Sequence, residues 1–206
     1  MDYIMLDNIA KEYFALEPSG HDYTHVKNVL EYATQLQEKE GGDFDVIYVS
    51  ALFHDVHRVI SSKIGRFVAP EDAMGEVKKL LANADLDPDV YEDVLYVISE
   101  HDNKVDDPFM SKELQIIQDA DILDALGERA LSRTYTYCKT HNIPVKNTAV
   151  PLDDPSFAPS VNPISMTHYV YRVLIPLCDK LHTVTAKKLA KQDLKVLYDF
   201  VEDNNK

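Results

Sequence analysis

Val46-Ile47-Tyr48-Val49-Ser50-Ala51-Leu52-Phe53-His54-Asp55-Val56 decides how the rest of the chain is read. The run is almost entirely apolar, so a helix formed from it is largely buried. Its one ionisable pair, His54-Asp55, is costly to bury unless something pairs with it. A divalent cation does so well, because imidazole nitrogen and carboxylate oxygen are both good ligands for first-row metals. Candidate partners stand upstream at His25 and downstream at Asp121.

Helical periodicity extends outward from this run in both directions, and alternating strand patterns are scarce. A first helix is expected over about 2–16, broken by Pro18-Ser19-Gly20. A second begins near Asp22, carries Val26, Val29, Leu30, Ala33 and Leu36 at helical spacing, and ends at Gly41-Gly42. The third, over about 44–60, holds the His-Asp pair. Pro70 and Asp87-Pro88 open the fourth and fifth, proline suiting a first helical position and Glu71-Asp72 the positive helix end. Ser111 begins a long helical region to about His141, with a bend expected near Gly127, and the last helices cover about 162–203. Pro144, Pro151, Pro155, Pro159 and Pro163, half of the chain's 10 prolines, mark a loop between these regions. A loop of about twenty residues either covers a substrate or merely connects. With no internal repeat and no linker, one all-α domain over 1–206 is the economical reading.

Composition narrows the function. The 206 residues are 27% charged and 45% hydrophobic, ordinary for a soluble globular protein with one well-filled core. A net charge of −14, from 35 acidic and 21 basic residues, argues against nonspecific duplex-DNA binding and against anionic membranes. A small anionic substrate then needs local cations or a metal. Cys138 and Cys178 read as free thiols in a reducing cytosol. The N-terminus shows no basic region followed by an apolar run, so neither a signal peptide nor a transmembrane segment is expected, and the location read is cytoplasmic. Only 6 glycines occur and no Gly-rich phosphate loop, so phosphate chemistry would rest on a metal and side chains.

Taken singly, His25 beside an apolar helical face and Asp121 inside an apolar helix are as compatible with structural roles as with metal binding. Their order and context say more. His21-Asp22-Tyr23-Thr24-His25, Ala51-Leu52-Phe53-His54-Asp55 and Gln118-Asp119-Ala120-Asp121-Ile122-Leu123-Asp124-Ala125-Leu126-Gly127, with Arg133 and the stretch from His168 to Ala190, occur in sequence. This series resembles the HD-domain phosphohydrolase superfamily, in particular its small stand-alone bacterial hydrolases, over nearly the whole chain. The resemblance implies an all-α HD-domain fold with a metal site between core helices. It makes His25, His54, Asp55 and Asp121 the metal ligands. The chain departs from the family pattern at Asn28 and Ile122, where arginines are usual, at Ala130, where a glycine is usual, and around His168-Tyr169-Val170-Tyr171-Arg172-Val173, where a glutamate is missing. None of these touches the ligands; they bear on the substrate pocket.

The resemblance further implies divalent-metal-dependent hydrolysis of a phosphorylated substrate. Two imidazoles and two carboxylates leave positions on a six-coordinate ion for water and a phosphate oxygen. The mixed nitrogen and oxygen set favours Mn²⁺, with Fe²⁺, Co²⁺, Ni²⁺, Zn²⁺ or Mg²⁺ as alternatives. Asp55 is also expected to orient the attacking water. His101 is expected to contact phosphate or protonate the leaving oxygen, and Arg58, one helical turn from His54, to clamp phosphate. Arg133, Lys104 and His168 are assigned to substrate. Asp124 is placed behind the ligands and Asp119 in the structure; His21 stands either behind the ligands or at the helix start, with the cap region preferred for it and for Asp22, and His57 and His182 are placed among structural or exposed residues. The expected substrate is a small nucleotide, cleaved by pyrophosphohydrolysis or 5′-dephosphorylation; a guanosine alarmone hydrolase and a non-catalytic HD-fold binding module are the alternatives. The expected assembly is a monomer or homodimer.

Overall fold

The structure, a computed structural model, describes residues 1–15, 17, 20–103, 108–154 and 163–205. Among these residues it is all-helical, with no strand. The elements are α1 (Tyr3–Phe14), α2 (Tyr23–Glu40), α3 (Phe44–Phe53), α4 (Val56–Ile64), α5 (Met74–Leu80), α6 (Pro88–Glu100), α7 (Lys112–Asp124), α8 (Gly127–Thr140), α9 (Met166–Tyr169) and α10 (Val184–Asn204). A 3₁₀ turn (Glu71–Ala73) leads into α5, and a π turn (Val170–Leu174) and a 3₁₀ stretch (Ile175–Lys180) join α9 to α10. The break expected at Pro18-Ser19 and the helix start expected at Asn162 lie outside the described residues. The chain forms two compact units, Met1–Asp121 and Ile122–Lys206.

In the first unit α3 is the central helix. It packs against α1, α2 and α6. Val46, Ile47, Val49, Ser50, Ala51, Leu52 and Phe53 are all buried, as an element apolar all round must be. The cap signals expected at Asp22 and Asp87 are in place, and Asp43 adds one that the sequence reading did not name. Asp22 accepts from the Thr24 and His25 amides, Asp43 from those of Asp45 and Val46, and Asp87 from that of Asp89 ahead of Pro88. In the second unit α8, α9 and α10 pack on one another.

Two expectations are corrected. The helix read over 44–60 is interrupted at the His-Asp pair itself: α3 ends at Phe53, and Asp55, at φ −93° and ψ 16°, sits in the bridge region before α4 begins. The Arg58 amide bonds back to the Asp55 carbonyl at 2.9 Å, a tight first turn. The long region over 111–141 is likewise two helices rather than one bent one. Gly127 takes φ +68°, which a continuing helix forbids. No helix among the described residues is long and apolar enough to cross a membrane.

Candidate metal centre

Four elements of the first unit converge on Asp55. His25 stands in the first turn of α2, held there by the Asp22 cap. His54 and Asp55 occupy the α3–α4 break. His101 caps the C-terminus of α6, and Asp121 lies on α7. Gln118, fully buried on α7, donates its side-chain amide to the Glu100 and Asn103 carbonyls at 3.1 and 3.0 Å. This ties α7 to the turn that carries His101.

The four residues assigned to the metal come together. His25 Nε2 lies 3.1 Å from His54 Nε2, 3.1 Å from Asp55 Oδ2 and 3.7 Å from Asp121 Oδ1, and His54 Nε2 lies 3.4 Å from Asp55 Oδ2. His54 Nδ1–H donates to the Ala51 carbonyl at 2.9 Å. A carbonyl only accepts, so the proton is on Nδ1 and the Nε2 lone pair faces the cluster. Neighbouring ligands on an ion bonded at about 2.1 Å are themselves about 3 Å apart. The donor set and its spacing therefore fit a divalent cation, as does the clustering of His25, His54 and Asp121 and of His21, His25 and Asp55.

Asp55 is 3% exposed. Burial alone pushes its carboxyl up, but the surrounding His54, His21 and His101 imidazoles outweigh burial and hold it well below the usual carboxylate range. The carboxylate form is thus secured before any cation arrives. Burial lowers the pKa of His101, with Asp55 opposing, so near neutral pH its ring is uncharged. His101 Nδ1–H donates to the Ile98 carbonyl at 2.7 Å, and Nε2 faces Asp55 Oδ1 at 3.7 Å.

The remaining expectations divide. Arg58 Nη2 donates to Asp102 Oδ2 at 2.9 Å, with Nε 3.7 Å from Asp55 Oδ1, so it borders the cluster while held by Asp102. Arg133, in the second unit, bonds the Asp124 carboxylate and, through Nη2, the Asp124 carbonyl at 2.6 Å. Asp119 is fully buried, as a structural role requires. His168 is buried in the second unit, with Nδ1 2.8 Å from the Ser165 hydroxyl and Nε2 lacking a hydrogen-bond partner. Lys104 lies outside the described residues. Of the proline-rich segment, Pro144 and Val145 are pinned by the Met166 and Thr167 amides, while 155–162 lie outside the described residues.

Two histidines stand closer to Asp55 than the preferred sequence reading placed them. His21 is not only part of the cap: its Nδ1–H donates to Asp55 Oδ2 at 2.6 Å. His57, read as structural or exposed, is 1% exposed and groups with Asp55 and His101. Its signal was only its nearness in sequence, two residues beyond Asp55.

Residues 22–126 match the HD domain. Over 194 residues the chain is 26% identical to YpgQ of Bacillus subtilis (strain 168), spanning 92% of this chain and 85% of that protein. The crystal structure of an HD-superfamily hydrolase from Bacillus thuringiensis superposes with a TM-score of 0.75 at 27% identity, over 98% of this chain and 93% of that one. Bacillus subtilis YpgQ, solved in complex with ADP, superposes with a TM-score of 0.71 at 23% identity, over 96% of this chain and 94% of that one.

Proposed function

The chain belongs to the HD domain family, and on that premise we propose that it is a divalent-metal-dependent phosphohydrolase acting on small nucleotides. The observation that carries this is the convergence of His25, His54, Asp55 and Asp121, with the Nε2 lone pair of His54 turned inward. In this reading those four hold the ion, with Mn²⁺ the leading candidate. Such an ion acidifies a ligated water and neutralises phosphoryl oxygens. Asp55 also orients the nucleophilic water. His101, uncharged, serves as proton carrier near the leaving oxygen, or contacts phosphate. Arg58 supplies a guanidinium for the phosphate, exchanging its hold on Asp102 for the substrate. Arg133, Lys104 and His168 stay candidates for substrate binding on the sequence resemblance alone.

Two further observations support a nucleotide. YpgQ of Bacillus subtilis has been solved with ADP. Phe67, 66% exposed, stands edge-on to His57 with ring centroids 6.5 Å apart. Its free face beside the cluster offers a stacking surface to a base. The similarity to solved structures over nearly the full chain supports 1–206 as one working hydrolase domain, and the two free cysteines fit a cytoplasmic protein.

The test is a screen of metal-stripped protein. Mn²⁺, Co²⁺, Ni²⁺ or Mg²⁺ is restored separately, with (deoxy)nucleoside mono- and triphosphates and guanosine alarmones as substrates, and phosphate and pyrophosphate are assayed apart. Metal-restored pyrophosphate release from triphosphates is the expected result. Orthophosphate from monophosphates makes the protein a nucleotidase, and pyrophosphate from alarmones alone makes it an alarmone hydrolase. Silence across the panel with metal bound overturns the proposal in favour of a binding module.

A further inference from the structure

The second unit has a concavity of its own. A cavity of about 630 Å³ lies between the end of α10, the π turn and the segment after Pro151. Tyr198, Val201 and Glu202 stand at spacings of three and four, on one face of the last turns of α10. Tyr171, from the π turn, and Leu152 and Asp153 line the cavity with them. This wall is pinned. Arg172 donates Nη1–H to the Asp154 carbonyl at 2.7 Å, tying the segment to the π turn. Val201 is buried, whereas both tyrosine rings keep exposed surface.

The charge of the cavity is one-sided. Asp153 and Glu202 are exposed carboxylates, and none of the described residues lining it is basic. The neighbouring cations are engaged elsewhere: Arg172 holds the Asp154 carbonyl, and Lys195 on α10 holds Asp199. The end of a helix carries partial negative charge, which lysine or arginine ordinarily offsets. The last turn of α10 has Glu202 and Asp203 and no basic residue, so it adds negative charge to a negative end. A bare metal ion does not suit such walls. Rings and apolar side chains give it no ligands, and no grouping of three metal-ligating atoms occurs here among the described residues. Organic ammonium groups do suit them, because carboxylates and aromatic faces both attract such cations. Cavities of this size hold small molecules.

We propose that this cavity binds a linear alkyl polyamine, with its ammonium groups on Asp153 and Glu202 and its methylenes against Leu152, Val201 and the two tyrosine rings. Every residue assigned to the metal lies in Met1–Asp121, whereas this cavity belongs wholly to Ile122–Lys206, so the inference does not rest on the hydrolase reading. The competing explanation is diffuse attraction of any polycation to a chain of net charge −14. It predicts weak binding without a defined stoichiometry and no role for the rings.

The experiment is calorimetric titration of spermidine into the nucleotide-free full chain at fixed ionic strength. The expected result is saturable binding of one spermidine per chain. Asp153→Asn and Glu202→Gln should each weaken it about tenfold, as loss of one charge-assisted contact does. Tyr198→Leu should weaken it about threefold, through the lost ring face. Glu92→Gln, which removes an exposed acid on α6, should leave it unchanged. All four changes are at exposed side chains, so folding is not at stake. Absence of saturable binding overturns the proposal. Equal weakening by Glu92→Gln and Glu202→Gln overturns it in favour of diffuse attraction. A single site that survives Asp153→Asn and Glu202→Gln together overturns the placement in this cavity.

Discussion

Asp55 presents Oδ2 to His21, His25 and His54, and Oδ1 to His101 and Arg58, so one carboxylate sets the charge on both sides of the cluster. Its side chain makes no cap bond to α4, which frees it from any duty to the helix it precedes. Asp55→Ala should therefore leave far-UV circular dichroism nearly unchanged while lowering metal-dependent turnover by more than about 100-fold, the upper end of the loss for an outer partner of a metal site. Asp121→Ala should behave alike. Full activity in either variant sinks the ligand assignment. His54, Asp55, His25 and Asp121 were legible as candidates because ionisable groups in apolar runs demand a partner. His57 was not singled out, although its spacing from His54 was visible. Its complete burial depends on neighbours from α6 that sequence order does not place beside it.

The helices followed from short-range rules where those rules were strong. Asp22, Asp43 and Asp87 cap the helices expected to begin after them, because a carboxylate two or three residues ahead satisfies free amides at any such start. The interruptions were harder to see. Nothing in Phe53-His54-Asp55-Val56 breaks a helix by composition; the break brings the pair to its buried partners. At Gly127 the signal was present but its strength was not. A β-carbon there would meet the Asp193 side chain, with Cγ at 2.8 Å, on a backbone already at φ +68°. Gly65, at φ +71°, has open space around the same position. Gly65→Ala should cost about 1 kcal/mol, from backbone strain alone, and Gly127→Ala about 2–3 kcal/mol, because overlap adds to the strain. Urea unfolding at matched m-values separates the two. Equal losses would show that Asp193 moves aside freely.

At the scale of the whole molecule, every residue assigned to the metal lies within Met1–Asp121, and an ion bound there would link elements far apart in sequence. A ligand that binds only the folded state at 100 times its Kd adds about 2.7 kcal/mol. For a chain of this size that corresponds to roughly 5–10 °C in Tm. Saturating Mn²⁺ should raise the melting temperature of stripped protein by that order, and chelator should reverse it. Asp121→Ala, lacking one ligand, should melt at nearly the same temperature with and without Mn²⁺. A full shift in that variant would place the stabilising ion elsewhere.

The sequence by itself determined the helical class, the central buried helix, most of the caps and four candidate members of the cluster, because periodicity, capping and the cost of buried charge act over short stretches of chain. Its motifs also carried the family, since order and local context survive without coordinates. Only the tertiary structure decided which face of Asp55 meets which histidine, that His21 and His57 join the cluster, and that Arg58 and Arg133 are held by Asp102 and Asp124. Most of those facts depend on distances between side chains from 9 to 46 residues apart, and such distances are fixed by how helices pack and where they break, not by any local preference of the residues themselves.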